Sequence, residues 1–387
     1  MTLPRRTVLL GSLALPAAAQ PRPLRPPLRL GVLTTLSGPA ADGAGSGSVL
    51  AARMAVEDGG VPAEVLAADM GERPDTGAAL ARAWFDRDGV HAVLDVPNSA
   101  TALAVASVVR ERNRLALFSG AGSTGLLQGC PANHLQWTYN TGALARGAAA
   151  AVLAEGGRRW FFLTADYAFG HALQRDVTAV VQAGGGTVLG ARAFPGDVLD
   201  FSALLLEARS SGADVIGLAC TGAPFETLVK QAAEFGMRQR LAALLCLETN
   251  VHAIGLADAQ GLLVTAPFYW DLNDGARAFA ARFAPRNRGI PPTMVHAGVY
   301  SATAHLLRTV AGGGDPADGA GLAAAMRGVA EDALFGQSAV RADGSVAHPM
   351  HLFRVKAPGD SRGAWDYYAP VRTVPAGEAF GAPGGCG

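Results

Sequence analysis

The chain has 387 residues, half of them hydrophobic, with 32 basic and 32 acidic side chains and a formal net charge of zero. That length outgrows a single core, so two domains are expected. With no basic surplus the chain lacks the positive stripe that phosphate backbones demand, so no nucleic-acid partner is expected.

Residues 1–19 read as a secretory signal peptide: Arg5 and Arg6, an apolar run over 8–15, then Ala17, Ala18 and Ala19 before Gln20. The string Arg5-Arg6-Thr7-Val8-Leu9 also fits a twin-arginine signal. The apolar run is far short of the roughly 20 residues that span a bilayer. An exported, soluble mature protein is therefore expected.

From residue 28 onward, strand-like apolar runs alternate with helix-like segments. Strands are predicted at 28–33, 64–68, 91–96 and 115–118, with helices at 49–57, 77–87 and 99–112 between them. After a reset near 138–142 the pattern repeats, with helices at 143–155, 171–182, 202–210 and 225–235. Strands at 160–164, 187–193, 215–219, 241–245 and 262–266 alternate with them. Helices at 274–283 and 293–310 follow, then strands at 340–342, 350–355 and 365–368. Repeated βαβ units imply parallel sheets covered by helices on both faces. The expected class is α/β with two doubly wound lobes. Lobe 1 comprises 28–138 plus 271–335, lobe 2 comprises 139–270 plus 336–370, and 371–387 is a flexible Gly/Pro-rich tail.

Ligands of doubly wound sheets bind beyond the carboxyl ends of the strands. The loops there carry hydroxyls, amides and glycines, which suit a polar solute held by hydrogen bonds. Ser37 and Gly38 follow the first strand. Asn98 or Ser99 caps the helix after the third, where free N–H groups attract a carboxylate. The run from Ser119 to Gly125, including Ala121, Gly122 and Ser123, repeats that arrangement one strand later. In the second half, Tyr167 and Phe169, Thr221, and the loop of Glu248 and Thr249 occupy the same ends. Aromatics at strand ends, here Tyr167 and Trp270, commonly wall a ligand site.

Two enzyme readings compete. Ser123 sits in a degenerate nucleophile elbow that lacks its first glycine. Gly43, Gly45 and Gly47, with Asp69 as a ribose acid, suggest a dinucleotide loop and an exported nicotinamide-dependent oxidoreductase. The glycines start about ten residues after the strand, and Ser48 stands at the third glycine position. Cys130, Cys220, Cys246 and Cys386 and the eight histidines form no metal spacing, so neither metal nor cofactor is expected. Cys220 and Cys246 end predicted strands and are either bridged neighbours or buried thiols.

Several segments together resemble the branched-chain amino-acid (Leu/Ile/Val) type periplasmic binding proteins. They are Leu30-Gly31-Val32-Leu33 with Leu36-Ser37-Gly38-Pro39, then Ala52-Arg53-Met54-Ala55-Val56-Glu57-Asp58. Trp160 through Gly170, Lys230-Gln231-Ala232-Ala233-Glu234-Phe235-Gly236 and Gln260-Gly261-Leu262 continue the likeness in order over residues 28–370. The resemblance implies a type I periplasmic-binding fold, with two lobes joined by three crossovers that close like a hinged trap. It implies a non-enzymatic, monomeric receptor that hands a small organic solute to an ABC permease in the inner membrane; a ligand sensor for a membrane receptor is the alternative. It places the ligand carboxylate on Ser99, Ala121 and Ser123, an aromatic wall at Tyr167, and an acid for an α-ammonium group at or near Glu248, with Thr249 and Asn250 beside it. If Glu248 faces away from the cleft, an aromatic or aliphatic carboxylate or amide is expected instead.

Overall fold

The computed structural model describes residues 27–37 and 41–386. The expected signal peptide, Gly38 and Pro39 lie outside the described residues.

The first half runs β1 (Leu28–Thr34), α1 (Gly45–Gly59), β2 (Ala63–Asp69), α2 (Pro74–Asp86), β3 (Ala92–Asp95), α3 (Ser99–Glu111), β4 (Leu115–Phe118) and β5 (His134–Gln136). Its strands form one parallel sheet in the order β2-β1-β3-β4-β5. The second half continues with α4 (Thr141–Ala154), β6 (Arg159–Ala165), α5 (Ala168–Ala183), β7 (Thr187–Phe194), α6 (Ser202–Ser210), β8 (Val215–Ala219), α7 (Ala223–Glu234), β9 (Arg240–Ala243), α8 (Glu248–Ile254), α9 (Leu256–Ala259) and β10 (Leu263–Ala266). A second parallel sheet has the order β7-β6-β8-β9. In both sheets strand order reverses beside the first strand, which is the doubly wound pattern. Central strands β4 and β8 are apolar at every position and fully buried, as strands covered on both faces must be.

The chain then forms α10 (Asp274–Phe283), α11 (Met294–Ala311), α12 (Gly319–Ala325), β11 (Gly328–Asp332), β12 (Gly336–Val340), β13 (Val346–Ala347), β14 (Met350–Val355), β15 (Tyr368–Val374) and α13 (Ala376–Phe380). Helix α11 packs along α1, so the chain returns to the first sheet. The approach is close because α1 offers glycines there. A Cβ on Gly47 would lie 2.4 Å from His296 Nε2, and one on Gly59 would lie 2.7 Å from Leu307.

Two late segments depart from expectation, residues 336–347 and the tail. Residues 336–347 were expected in lobe 2, but they join the first sheet's edge: Gln136 pairs with Ser345, and its N–H donates to the Gly344 carbonyl at 2.8 Å. Strands β14 and β15 instead pair antiparallel with β10. The tail is not a loose end, since β15 runs to Val374, α13 packs on α4, and Cys386 is bonded to Cys130. Cys220 and Cys246 are free and buried. Among the described residues no helix is long and apolar enough to cross a membrane, and no cluster of acids, histidines and cysteines could hold a metal.

Candidate functional site

The carboxyl ends of the parallel strands carry a set of buried, unsatisfied oxygens. Eight buried side-chain oxygens lack a hydrogen-bond partner among the described residues, and six of them sit at or shortly past the carboxyl end of a parallel strand. These are Thr35 Oγ1 after β1, Asp95 Oδ1 ending β3, Ser119 Oγ after β4, Gln136 Oε1 ending β5, Thr138 Oγ1 two residues beyond it, and Glu248 Oε1 five residues past β9. Buried polar atoms in native proteins are nearly always paired, so such a concentration, most of it on the first sheet, marks these strand ends as the candidate site.

On the first sheet, Ser99 opens α3 and is buried. Its hydroxyl accepts the Ser123 N–H at 3.2 Å, which leaves its own proton to offer. Asn98 is the N-cap and accepts the Thr101 N–H at 3.0 Å, so its amide oxygen serves the helix. The loop of Ala121, Gly122 and Ser123 is held from below by Gln136, whose amide donates to the Ala121 and Ser123 carbonyls at 2.9 and 3.0 Å. Tyr139 donates its phenol proton to the Gly120 carbonyl at 2.7 Å. These contacts hold the loop still, so its N–H groups need no reorganisation on binding.

Behind them lies Asp95, fully buried and in the left-handed region at φ 75°, followed by Val96 at φ 52°. Two such residues in succession are costly and cluster at sites where the surroundings over-determine the backbone. Thr34 donates to Asp95 at 2.8 Å. Burial pushes the Asp95 carboxyl up to about 6, against the pull of the Ser48 and Thr34 hydroxyls. Gly120 is required here, since a Cβ would lie 2.6 Å from the Pro97 Cα.

The second sheet contributes Tyr167, the N-cap of α5, which stacks on Phe169. A Cβ on Gly122 would lie 2.5 Å from the Tyr139 ring and 2.9 Å from the Phe169 ring, so the two sheets' loops meet at that glycine. Burial raises the Tyr167 phenol, and the charges of Cys220, Tyr139 and Glu72 act in the same direction. Thr221 follows Cys220 at the end of β8 and is half-buried. Helix α5 also reaches the first half directly: Thr124 donates to Asp176 at 2.8 Å, beside Thr141 at the start of α4, which donates to the same carboxylate at 2.5 Å.

Glu248 is the first residue of α8 and is 3% exposed. Burial pushes its carboxyl up to about 8, opposed only by its own backbone N–H. Its charge is felt by Cys246, Tyr269 and Tyr368, which fixes its surroundings. Thr249 beside it is half-buried.

Three expected site residues are engaged elsewhere. Ser37 is exposed and donates to Asp69 at 2.7 Å. Asn98 is used by its helix, as above. Trp270 donates its indole N–H to the Trp365 carbonyl at 2.8 Å, so it offers a ligand no donor. Gln136, Tyr139 and Asp95 went unread in the sequence, because none stands in a recognisable loop pattern. The dinucleotide reading fails on geometry: Gly47 serves helix packing against His296, and Asp69 is taken by Ser37 and the Gly71 N–H. Ser123 Oγ accepts the Gly125 N–H at 3.2 Å and so caps a turn.

A periplasmic binding protein family model matches residues 27–363. A periplasmic binding protein from Burkholderia mallei is 38% identical, with 92% of this chain and 96% of that chain covered and a TM-score of 0.88. A branched chain amino acid ABC transporter periplasmic ligand-binding protein from Burkholderia xenovorans is 36% identical, covering 92% and 97%, with a TM-score of 0.82. A solute binding protein of an ABC transporter from R. palustris, solved with benzoate, is 20% identical over 91% and 97% at a TM-score of 0.80, and shares the fold. No curated protein matches the chain. The family model over most of the chain and two relatives more than a third identical along nearly their whole length place the chain in the periplasmic binding protein family.

Proposed function

We propose that this protein captures a small α-amino acid in the periplasm and delivers it to an inner-membrane ABC permease, as a monomer and without chemistry on the ligand. The carrying observation is the set of buried, unpartnered oxygens at the strand ends, among them Thr35, Asp95, Ser119 and Glu248. In this reading the ligand carboxylate lies against the N-terminus of α3, the Ser99 hydroxyl and the amides of Ala121 and Gly122, the Ser123 N–H being donated to Ser99, where the helix dipole favours an anion. Glu248 meets the ammonium group. Tyr139, Tyr167 and Phe169 pack the side chain. The branched chain amino acid ABC transporter for which the Burkholderia xenovorans relative is named supports this class.

We infer lobe 1 as 28–138 plus 271–347, and lobe 2 as 139–270 plus 348–375, moved from the first expectation by the Gln136–Ser345 pairing. Closure of the lobes on the ligand is driven by its differential affinity for the closed form. Residues 1–19 act as the export signal.

The test is calorimetric titration with leucine, phenylalanine, glutamate and benzoate. Ser99→Ala should weaken the amino acid that binds by about 1–3 kcal/mol, the cost of an unsatisfied ligand oxygen. Undiminished affinity in that variant sinks the assignment of the carboxylate site.

A further inference from the structure

The C-terminal segment ends on the hinge. Up to Ala379 its main partner is in the second half: α13 packs chiefly on α4, with a smaller contact to β13, and Arg146 of α4 donates to the Ala379 carbonyl at 2.6 Å. From Gly381 its partners belong to the first sheet's edge. Arg341 donates to the Gly381 carbonyl at 2.9 Å, the Gly384 N–H donates to Asp343 at 2.8 Å, and Cys386 is bonded to Cys130, 256 residues away in the β4–β5 loop.

Between these two sets of contacts, Phe380 is buried edge-on against His348, with ring centroids 5.1 Å apart. His348 joins β13 to β14, stacks on Phe335, and sits 3.3 Å from the carbonyl of Trp137 on the β5–α4 crossover. The tail therefore rests on two of the segments that link the sheets. Its far end is covalently fixed to the sheet it reaches.

We propose that the Cys130–Cys386 bond turns the C-terminal segment into a fourth tether between the lobes, one that limits how far the ligand cleft opens. The proposal rests on the two-lobe reading above. Opening a hinge changes backbone angles in a few linking residues. With the bond in place, that motion must either be absorbed by a short segment of fixed ends or peel Phe380 from His348. Without it, residues 381–386 are held to the first lobe only by the hydrogen bonds to Arg341 and Asp343. The other two cysteines do not compete for pairing, because Cys220 and Cys246 are buried and burial holds both thiols well above the usual range.

The experiment compares the native protein with Cys130→Ser/Cys386→Ser. In parallel, native protein is reduced with dithiothreitol, which yields two electrons and two protons and closes to a cyclic disulfide as the protein bond becomes two thiols. Solution scattering and amide hydrogen exchange are recorded without ligand and with leucine or benzoate. The tether predicts a larger radius of gyration in the ligand-free variant, and exchange about tenfold faster at the linking segments as well as in α13. Both forms then contract to the same ligand-bound size. Faster exchange confined to 376–386, with equal ligand-free sizes, overturns the tether while leaving the two-lobe reading intact. A ligand that binds without contracting either form sinks the two-lobe reading instead. Should the double variant fail to fold, the reduced native protein supplies the same comparison.

Discussion

At pH 7, binding of an α-amino acid should release close to one proton per ligand. The free site holds Glu248 with a pKa of about 8, because burial disfavours its charge and nothing pairs with Oε1. An ammonium group beside that oxygen supplies the missing charge and drives the carboxyl to ionise. Linkage then makes affinity rise with pH, by up to about tenfold per unit below 8. The dissociation constant at pH 6 should be about tenfold weaker than at pH 7. A carboxylate or amide ligand would behave oppositely, accepting a hydrogen bond from neutral Glu248 and losing affinity above pH 8. Titration calorimetry in two buffers of unequal ionisation heat counts the proton directly. Glu248→Gln should weaken an amino acid by about 2–5 kcal/mol, the cost of truncating a buried charge pair, and spare an aromatic acid. The same substitution has a stability signature. Glu248 has its folded pKa raised above the unfolded 4.5, so the folded state keeps a proton that the unfolded chain has lost between 4.5 and about 8. Its contribution to stability is present below 4.5 and lost as pH rises through 8. Ligand-free Glu248→Gln should therefore melt above the native protein at pH 8.5. Equal melting temperatures, with no proton released on binding, would place the carboxyl outside the site.

Legibility of this fold followed the reach of the physical signal. Apolar runs such as Val215–Ala219 announce a strand buried on both faces, and their alternation with helices is local, so both parallel sheets were readable. The strand ends were readable too, because loop residues between a strand and a helix are adjacent in sequence. That adjacency exposed Ser99, Ser123, Tyr167 and Glu248 as candidates. It could not tell which hydroxyl a neighbour would consume. Asn98 and Ser99 are equivalent as caps on paper, and only the backbone trajectory gives the cap to Asn98 and the loop to Ser99. Trp270 reads as a ligand wall until the Trp365 carbonyl, 95 residues away, takes its N–H. Gln136 and Tyr139 support the binding loop from the β5–α4 crossover, a role created by topology alone. The tail misled for the opposite reason. Glycine and proline there signal flexibility locally, whereas its order comes from Cys130, Arg146 and His348, all distant in the chain.

Gly170→Ala should cost both stability and ligand affinity. Gly170 lies in the first turn of α5, where a Cβ would sit 2.2 Å from the Ala165 carbonyl oxygen and 3.0 Å from that of Ala219. Both obstacles are backbone atoms at the ends of β6 and β8, held in their sheet by ladder bonds, so neither can yield as a flexible side chain would. The helix must move instead. Overpacking of this kind costs about 1–3 kcal/mol. The displacement falls on the turn that carries Tyr167 and Phe169, and Phe169 is in contact range of any atom added at Gly122. A shift there opens the aromatic wall at the point where the two sheets' loops meet. Amino-acid affinity should drop by at least tenfold, because the side-chain pocket loses its fit while Ser99 and Glu248 stay in place. Gly196→Ala is the control: no atom lies within 4 Å of its Cβ position, so melting temperature and affinity should both hold. A loss of melting temperature in Gly170→Ala with affinity unchanged would show that the first turn of α5 braces the sheet without shaping the pocket.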